Sequence, residues 1–268
     1  MPPTAHICVT CGTQFAPSDQ PPEGCPICLD ERQYVGHDGQ RWTTMAELAD
    51  THHNRVEEVE PGLTGIGTDP SFAIGQRALL VDGLLWDCVT LIDDATAERV
   101  RAAGGLDTIA ISHPHYYSGM VDWAERFDAR VLLHEADREW IMRRSSRIEL
   151  WRGERRAISD DVELIRLGGH FAGGTVCLWR SGAGGRGALL SGDIVQVVAD
   201  RDWMSFMWSY PNLIPLPARE VLRIRALLDG LAFDRVYGAW WHTVVPSDGR
   251  AKALRSADRY VAALSGER

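Results

Sequence analysis

The sequence predicts a layered α/β fold preceded by a small metal-stapled segment. Three observations carry that expectation. Short apolar runs punctuated by glycine recur from residue 63 onward, helical patterns alternate with them through the middle of the chain, and four of the six cysteines fall within the first 28 residues. Alternating strand and helix signals fit layers better than a barrel or a bundle. With 268 residues the chain can bury a sizeable core, either as one large domain or as a main domain with an appendage.

Residues 1–35 are rich in Pro, Gly and Cys and have too few aliphatic side chains for a core, so a metal is the natural staple. Cys8-Val9-Thr10-Cys11 and Cys25-Pro26-Ile27-Cys28 form two knuckles that can aim four thiolates at one tetrahedral ion. Structural zinc is the first expectation, and iron in a rubredoxin-like cage uses the same geometry. Cys88 and Cys177 sit in apolar runs with no thiol nearby in sequence and read as small buried hydrophobes. Residues 36–60 read as a connector. Within it Thr44-Met45-Ala46-Glu47 is a capping box that opens a short helix ending near His52, and 54–61 is a charged link.

From residue 61 to 268 one main domain is expected. Its strands are placed at 63–67, 72–74, 78–81, 84–87, 108–112, 131–134, 162–167, 175–179, 188–190 and 235–237. Helices are placed at 93–103, 120–127, 135–143, 217–228 and 249–264.

The bulk properties narrow the partners. A net charge of -9 argues against a broad phosphate-binding surface, and the cysteine segment carries Asp19, Glu23, Asp30 and Glu31 against the one base Arg32, so nucleic acid is not an expected partner. No run of eighteen apolar residues or signal-peptide core appears, so no membrane is expected and cytoplasmic residence is the default. The clustered Cys-x-x-Cys pairs fit a metal better than a secreted disulfide framework. Ten tryptophans are many for this length; core packing or a homodimer contact explains them, and an aromatic substrate cleft is the sharper reading. The segment holding Trp203, Phe206, Trp208 and Tyr210 is the expected substrate wall.

The chemistry concentrates in Ser112-His113-Pro114-His115-Tyr116-Tyr117-Ser118, in Gly169-His170 and in Gly192-Asp193. His113 and His115 flank a proline at a strand end, where a rigid sheet presents loop residues. His170 lies in a glycine-rich loop, and Asp193 follows another short strand. Three histidines leave one zinc position open for water or substrate.

These motifs resemble the metallo-β-lactamase superfamily over residues from about 60 to 268. The resemblance implies an αββα sandwich with metals at one edge, so the expected fold class is an α/β metallo-β-lactamase-like sandwich with a small N-terminal zinc ribbon. The family signature is His-x-His-x-Asp-His, a later Gly-His, a later aspartate and a final histidine. His113, His115 and His170 match the first metal site, and Asp193 matches the acid that commonly bridges two metals. Tyr117 stands in place of the family's aspartate and Ser118 in place of its next histidine. His242 arrives later than the final histidine should, after Trp240 and Trp241, and is the remaining candidate ligand.

The resemblance therefore implies one catalytic zinc acting in hydrolysis of an ester, thioester, amide or lactone of a small organic substrate. Asp193 would ligate the ion or accept a hydrogen bond from its water, and Tyr116 or Tyr117 would donate to the developing oxyanion or the leaving group. Two alternatives stand beside it: a noncatalytic binding protein on this fold, and a mononuclear Fe2+ oxidoreductase acting on a thiol or persulfide.

Overall fold

A computed structural model describes residues 3–267, and the chain divides into two compact units, Met1–Leu150 and Trp151–Arg268. In the first unit, strand Ile7–Cys8 pairs antiparallel with Trp42–Thr43, and a bridge joins Ile7 to Gln14. A single helical turn, Pro26–Leu29, follows the second knuckle; the proline sits where the missing N–H costs nothing. Helix Met45–Ala49 carries the expected capping box: Thr44 accepts from the Glu47 N–H and the Glu47 carboxylate accepts from the Thr44 N–H.

The main sheet of this unit has seven strands in the order His53–Glu60, Leu63–Asp69, Arg77–Val81, Leu84–Trp86, Thr108–Ala110, Arg130–His134 and Ile148–Trp151. The first four pair antiparallel. Leu84–Trp86, Thr108–Ala110 and Arg130–His134 then pair parallel. Parallel neighbours need crossovers, which helices Asp94–Ala102 and Met120–Phe127 supply.

Three expectations change. The charged link at 54–61 is the edge strand His53–Glu60. Arg55 and Glu57 face outward while Asn54 and Val56 are buried, an alternation masked by the run of charges. The strand expected at 72–74 is a turn between Pro70 and Gly75, with Ala73 at φ 53°. The helix expected at 135–143 is a shorter 3-10 segment, Glu135–Trp140. Two further strands, the short Ile148–Trp151 and the arginine-rich Arg155–Ala157, are not expected from the sequence.

The second unit holds a six-stranded sheet in the order Arg155–Ala157, Val162–Arg166, Thr175–Trp179, Ala188–Gly192, Arg235–Gly238 and Val244–Val245. Only the pairing of Ala188–Gly192 with Arg235–Gly238 is parallel. Helices Ala218–Asp229 and Gly249–Leu264 pack on it through Val221, Ile224, Leu228, Ala253 and Ala257, which are fully buried with Leu189 and Val236. Fully burying one such valine, isoleucine or leucine side chain stabilises by about 1.5–3 kcal/mol. Cys88 and Cys177 are buried single thiols, as expected. No helix among the described residues is long and apolar enough to cross a membrane.

Candidate functional site

Two groups of donors are assembled. In the first, Cys8, Cys11, Cys25 and Cys28 are buried, with all four sulfurs within 4.8 Å of one another. Cys8 and Cys28 are 3.6 Å apart, and Cys11 and Cys25 are 3.7 Å apart. A tetrahedral ion with bonds of about 2.3 Å to sulfur places its ligands about 3.8 Å apart, so the donor set fits zinc. The Gln40 side chain spans the group, its Nε2 donating to the Cys8 sulfur and its Oε1 accepting from the Cys25 N–H, both at 3.2 Å. Hydrogen bonds from neighbouring thiols hold Cys8 well below the usual thiol range and push Cys11 well above it. Four buried thiols cannot all ionise together without a cation, and a divalent ion resolves that conflict.

The second group is His113, His115 and His170, all buried, with one ring nitrogen from each within 4.8 Å of the others. Nitrogens about 2.1 Å from a single ion fit inside that limit, so three imidazoles suit zinc with one position left open.

Local structure sets the ring of His113. Thr108–Ala110 ends just before it, and His113 itself is extended before the 3-10 turn Pro114–Tyr116. Asp87, which follows strand Leu84–Trp86, accepts from the Ser112 backbone N–H at 2.7 Å and also from the Ser112 hydroxyl. Ser112 Oγ lies 2.9 Å from His113 Nδ1. Once Asp87 is ionised, the serine proton is committed to it, so Nδ1–H of His113 donates to Ser112 Oγ and Nε2 keeps its lone pair for a metal. Burial pushes the Asp87 carboxyl up to about 7, against the opposing pull of its hydrogen bonds from Ser112.

His170 is set the same way by a different partner. Its Nδ1 lies 2.7 Å from the Trp208 carbonyl, which can only accept, so Nδ1 carries the proton and Nε2 the lone pair. Tyr210 lies beside His170, ring centroids 5.6 Å apart, and donates its hydroxyl to the Asp193 carbonyl at 2.7 Å. Asp193 itself is buried at the end of strand Ala188–Gly192.

The other candidates take varied positions. Tyr116 is fully buried with its ring 4.4 Å from that of His113. Tyr117 is also buried, and burial together with the Asp137 charge pushes its phenol well above the usual range. Ser118 Oγ accepts from Gln76 Nε2 at 2.9 Å, and its carbonyl accepts from the Gln14 N–H at 3.1 Å. His134 caps the following 3-10 segment by accepting from the Ala136 N–H.

Asp193 and His242 are not among the grouped metal donors; His242 is exposed, and its carbonyl accepts from Arg201 at 2.7 Å. Phe206 is a core residue, edge-on to Tyr260. Trp203 lies under the guanidinium groups of Arg255 and Arg259. Sequence reasoning missed Asp87, Gln40 and the orienting roles of Ser112 and the Trp208 carbonyl. Only Asp87 had a signal, an acid placed straight after an apolar strand.

The uncharacterized protein YmaE of Bacillus subtilis (strain 168) is 47% identical over 268 residues, covering 98% of this chain and 97% of YmaE. The chain belongs to the YmaE family. No family model matches it.

Solved structures similar to it are metallo-β-lactamases. A B3 metallo-β-lactamase with an active-site glutamic acid is 17% identical, with a TM-score of 0.53, covering 80% of this chain and 91% of its own. FIM-1 from Pseudomonas aeruginosa, solved in a mono-zinc form, is 9% identical with a TM-score of 0.56, covering 78% and 96%. A Cronobacter sakazakii metallo-β-lactamase with a HARLDQ motif is 17% identical with a TM-score of 0.51, covering 79% and 93%. At these identities the likeness establishes the fold: this chain has the α/β metallo-β-lactamase fold, with a close four-cysteine cluster near its N-terminus. A fold hosts many chemistries, so the activity has to be argued from the site.

Proposed function

We propose that this chain is a metal-dependent hydrolase with one catalytic zinc held by His113, His115 and His170. Its substrate would be an ester, thioester, amide or lactone of a small organic molecule. The observation that carries the reading is the pairing of a three-imidazole group with neighbours unsuited to a second ion. Ser118 Oγ is engaged by Gln76, and Tyr117 is a buried phenol whose pKa is raised, so it holds its proton.

When bound, zinc supplies a Lewis acid and lowers the pKa of its water toward about 7. The protein's own part is orientation and proton handling. Ser112 and the Trp208 carbonyl keep His113 and His170 in the tautomer that presents Nε2. Asp193 supplies the carboxylate that accepts a proton from the nucleophile, and Tyr210 fixes its backbone. A protonated Tyr116 or Tyr117 can donate a hydrogen bond to a developing oxyanion but is a poor base at neutral pH. Tyr210 would supply the aromatic surface beside His170, while the four-cysteine zinc would be structural.

Metal analysis and ester hydrolysis test the proposal together. Purified protein should carry two zincs per chain and hydrolyse a nitrophenyl ester or thioester, and H113A/H170A should carry one zinc and lose turnover. Three zincs would restore a dinuclear site. One zinc, unchanged in the double variant and without turnover, would leave a noncatalytic protein. Iron with persulfide-dependent oxygen uptake would replace hydrolysis by oxidation.

A further inference from the structure

A cavity of about 230 Å³ opens in the first unit, lined by Arg138, Ile141, Arg144, Ser145, Ile148 and Leu150. None of these residues belongs to either donor group. Local structure builds the cavity. The 3-10 segment Glu135–Trp140 closes with the Ile141 N–H on the Arg138 carbonyl, and Ser145 then organises the next turn through its hydroxyl and carbonyl, which accept from Arg147 and Ile148. Arg138, Arg144 and Ser145 thereby supply the polar part of the lining, and Ile141, Ile148 and the 36% exposed Leu150 the apolar part.

The two guanidinium groups differ from their neighbours. Arg143 binds Asp122 and Glu125, and Arg147 binds Asp128. Arg126 and Arg130 also reach carboxylates. Among the described residues, neither Arg138 nor Arg144 lies within 4.0 Å of a carboxylate, and neither has a side-chain hydrogen bond. In a chain of net charge -9, two such cations share one cavity with an apolar wall. Ser145 Oγ accepts from Arg147 and keeps its own proton to donate.

We infer that this cavity binds a small aliphatic carboxylate. Arginine forks match carboxylate oxygens in paired hydrogen bonds, and Ser145 offers a further donor. A short hydrocarbon body would cover Ile141, Ile148 and Leu150. Drug-sized sites run to roughly 300–1,000 Å³, so the ligand here is smaller, with a single anionic head. Inorganic phosphate would leave the apolar wall wet, and a neutral alcohol would leave both guanidinium groups without a new acceptor. The inference does not depend on the hydrolase reading.

Calorimetric titration of the full chain with hexanoate tests it, with hexan-1-ol and inorganic phosphate as comparison ligands. Hexanoate should bind saturably at one site, at least tenfold more tightly than either comparison ligand. R138Q/R144Q should weaken hexanoate binding at least tenfold with an unchanged circular dichroism spectrum and unchanged zinc content. H113A/H170A should bind hexanoate as the parent does. The inference fails if no saturable binding occurs, if the arginine variant binds normally, or if the histidine variant abolishes binding, which would place the carboxylate at the metal centre. Phosphate binding as tightly as hexanoate would overturn the aliphatic part of the assignment.

Discussion

The four thiolates and the three imidazoles solve one problem, gathering donors for an ion, by opposite means. The cysteines come from residues 8–28 and are brought together by two local turns, with Gln40 clasping Cys8 and Cys25. The histidines come from residues 113–170, and two of the three rings depend on a partner remote in sequence: Asp87 through Ser112 for His113, and Trp208 for His170. A local four-donor set is saturated and therefore structural, whereas three donors leave an open position. The first group also braces the loop of the second. The Gln14 N–H donates to the Ser118 carbonyl, the Gln14 amide donates to Asp122 at 2.7 Å, and Thr90 Oγ donates to the Gly12 carbonyl at 2.9 Å. Gly12 permits that approach: its φ is +78°, and a Cβ there would meet Thr90 Oγ at 2.5 Å.

The largest expected effect comes from breaking the saturated site. C8S/C11S should lose its structural zinc and destabilise the chain by several kcal/mol, on the order of 10 °C or more in Tm, because ligand loss removes folding free energy outright. Since Gln14 and Gly12 are tied to Ser118 and Thr90, zinc retention at the histidine group should fall as well. Thermal unfolding and metal analysis on one sample measure both. A variant that melts as the parent does would show that the cysteine segment does not brace the histidine loop.

Next comes the buried carboxyl behind His113. Asp87 holds its proton to about 7, against 3.8 for an unperturbed side chain. Below about pH 4 both folded and unfolded chains carry the proton. As pH rises, the unfolded chain ionises first, so the stability present at low pH is lost progressively up to about pH 7 and is flat above it. Asp87→Asn keeps an acceptor for Ser112 and removes the titration. Urea unfolding at pH 5 and pH 8 should show the parent losing on the order of 2 kcal/mol relative to the variant. Parallel curves for the two proteins would mean that Asp87 stays ionised. Ser112→Ala should act more mildly, weakening zinc binding at the histidine group about tenfold in a chelator competition, the scale for loss of an orienting partner.

The same contrast explains what could be read from the sequence. The capping box at Thr44, the strand Thr175–Trp179 and the helix Gly249–Leu264 follow from neighbours a few residues apart, and they stand where periodicity and caps put them. The two Cys-x-x-Cys pairs are local in the same sense. His53–Glu60 and Arg155–Ala157 are strands because of what pairs with them; charged residues dominate both, and no clear apolar alternation announces them. The histidines could be listed from motif alone, but the tautomer of His113 rests on Asp87, which lies 25 residues before Ser112. Aromatic clustering misled at Phe206, which is large and apolar enough to be core and is buried as core.

The smallest expected effect separates motif order from geometry at His242. Its place near the end of the chain suggests a ligand, yet its side chain is exposed and its carbonyl receives Arg201. The preceding turn is closed by Thr243, whose hydroxyl donates to the Trp240 carbonyl at 2.7 Å and accepts from the Trp240 N–H at 3.0 Å. That turn holds position 242 through its backbone, so the imidazole contributes neither packing nor a grouped donor. H242A should keep two zincs per chain and a Tm within about 1–2 °C of the parent, the range of an ordinary surface substitution. Loss of one zinc in H242A alone would make His242 a ligand after all. The histidine group would then have four imidazoles, a saturated set like the cysteines, and the open position on which hydrolysis depends would be gone.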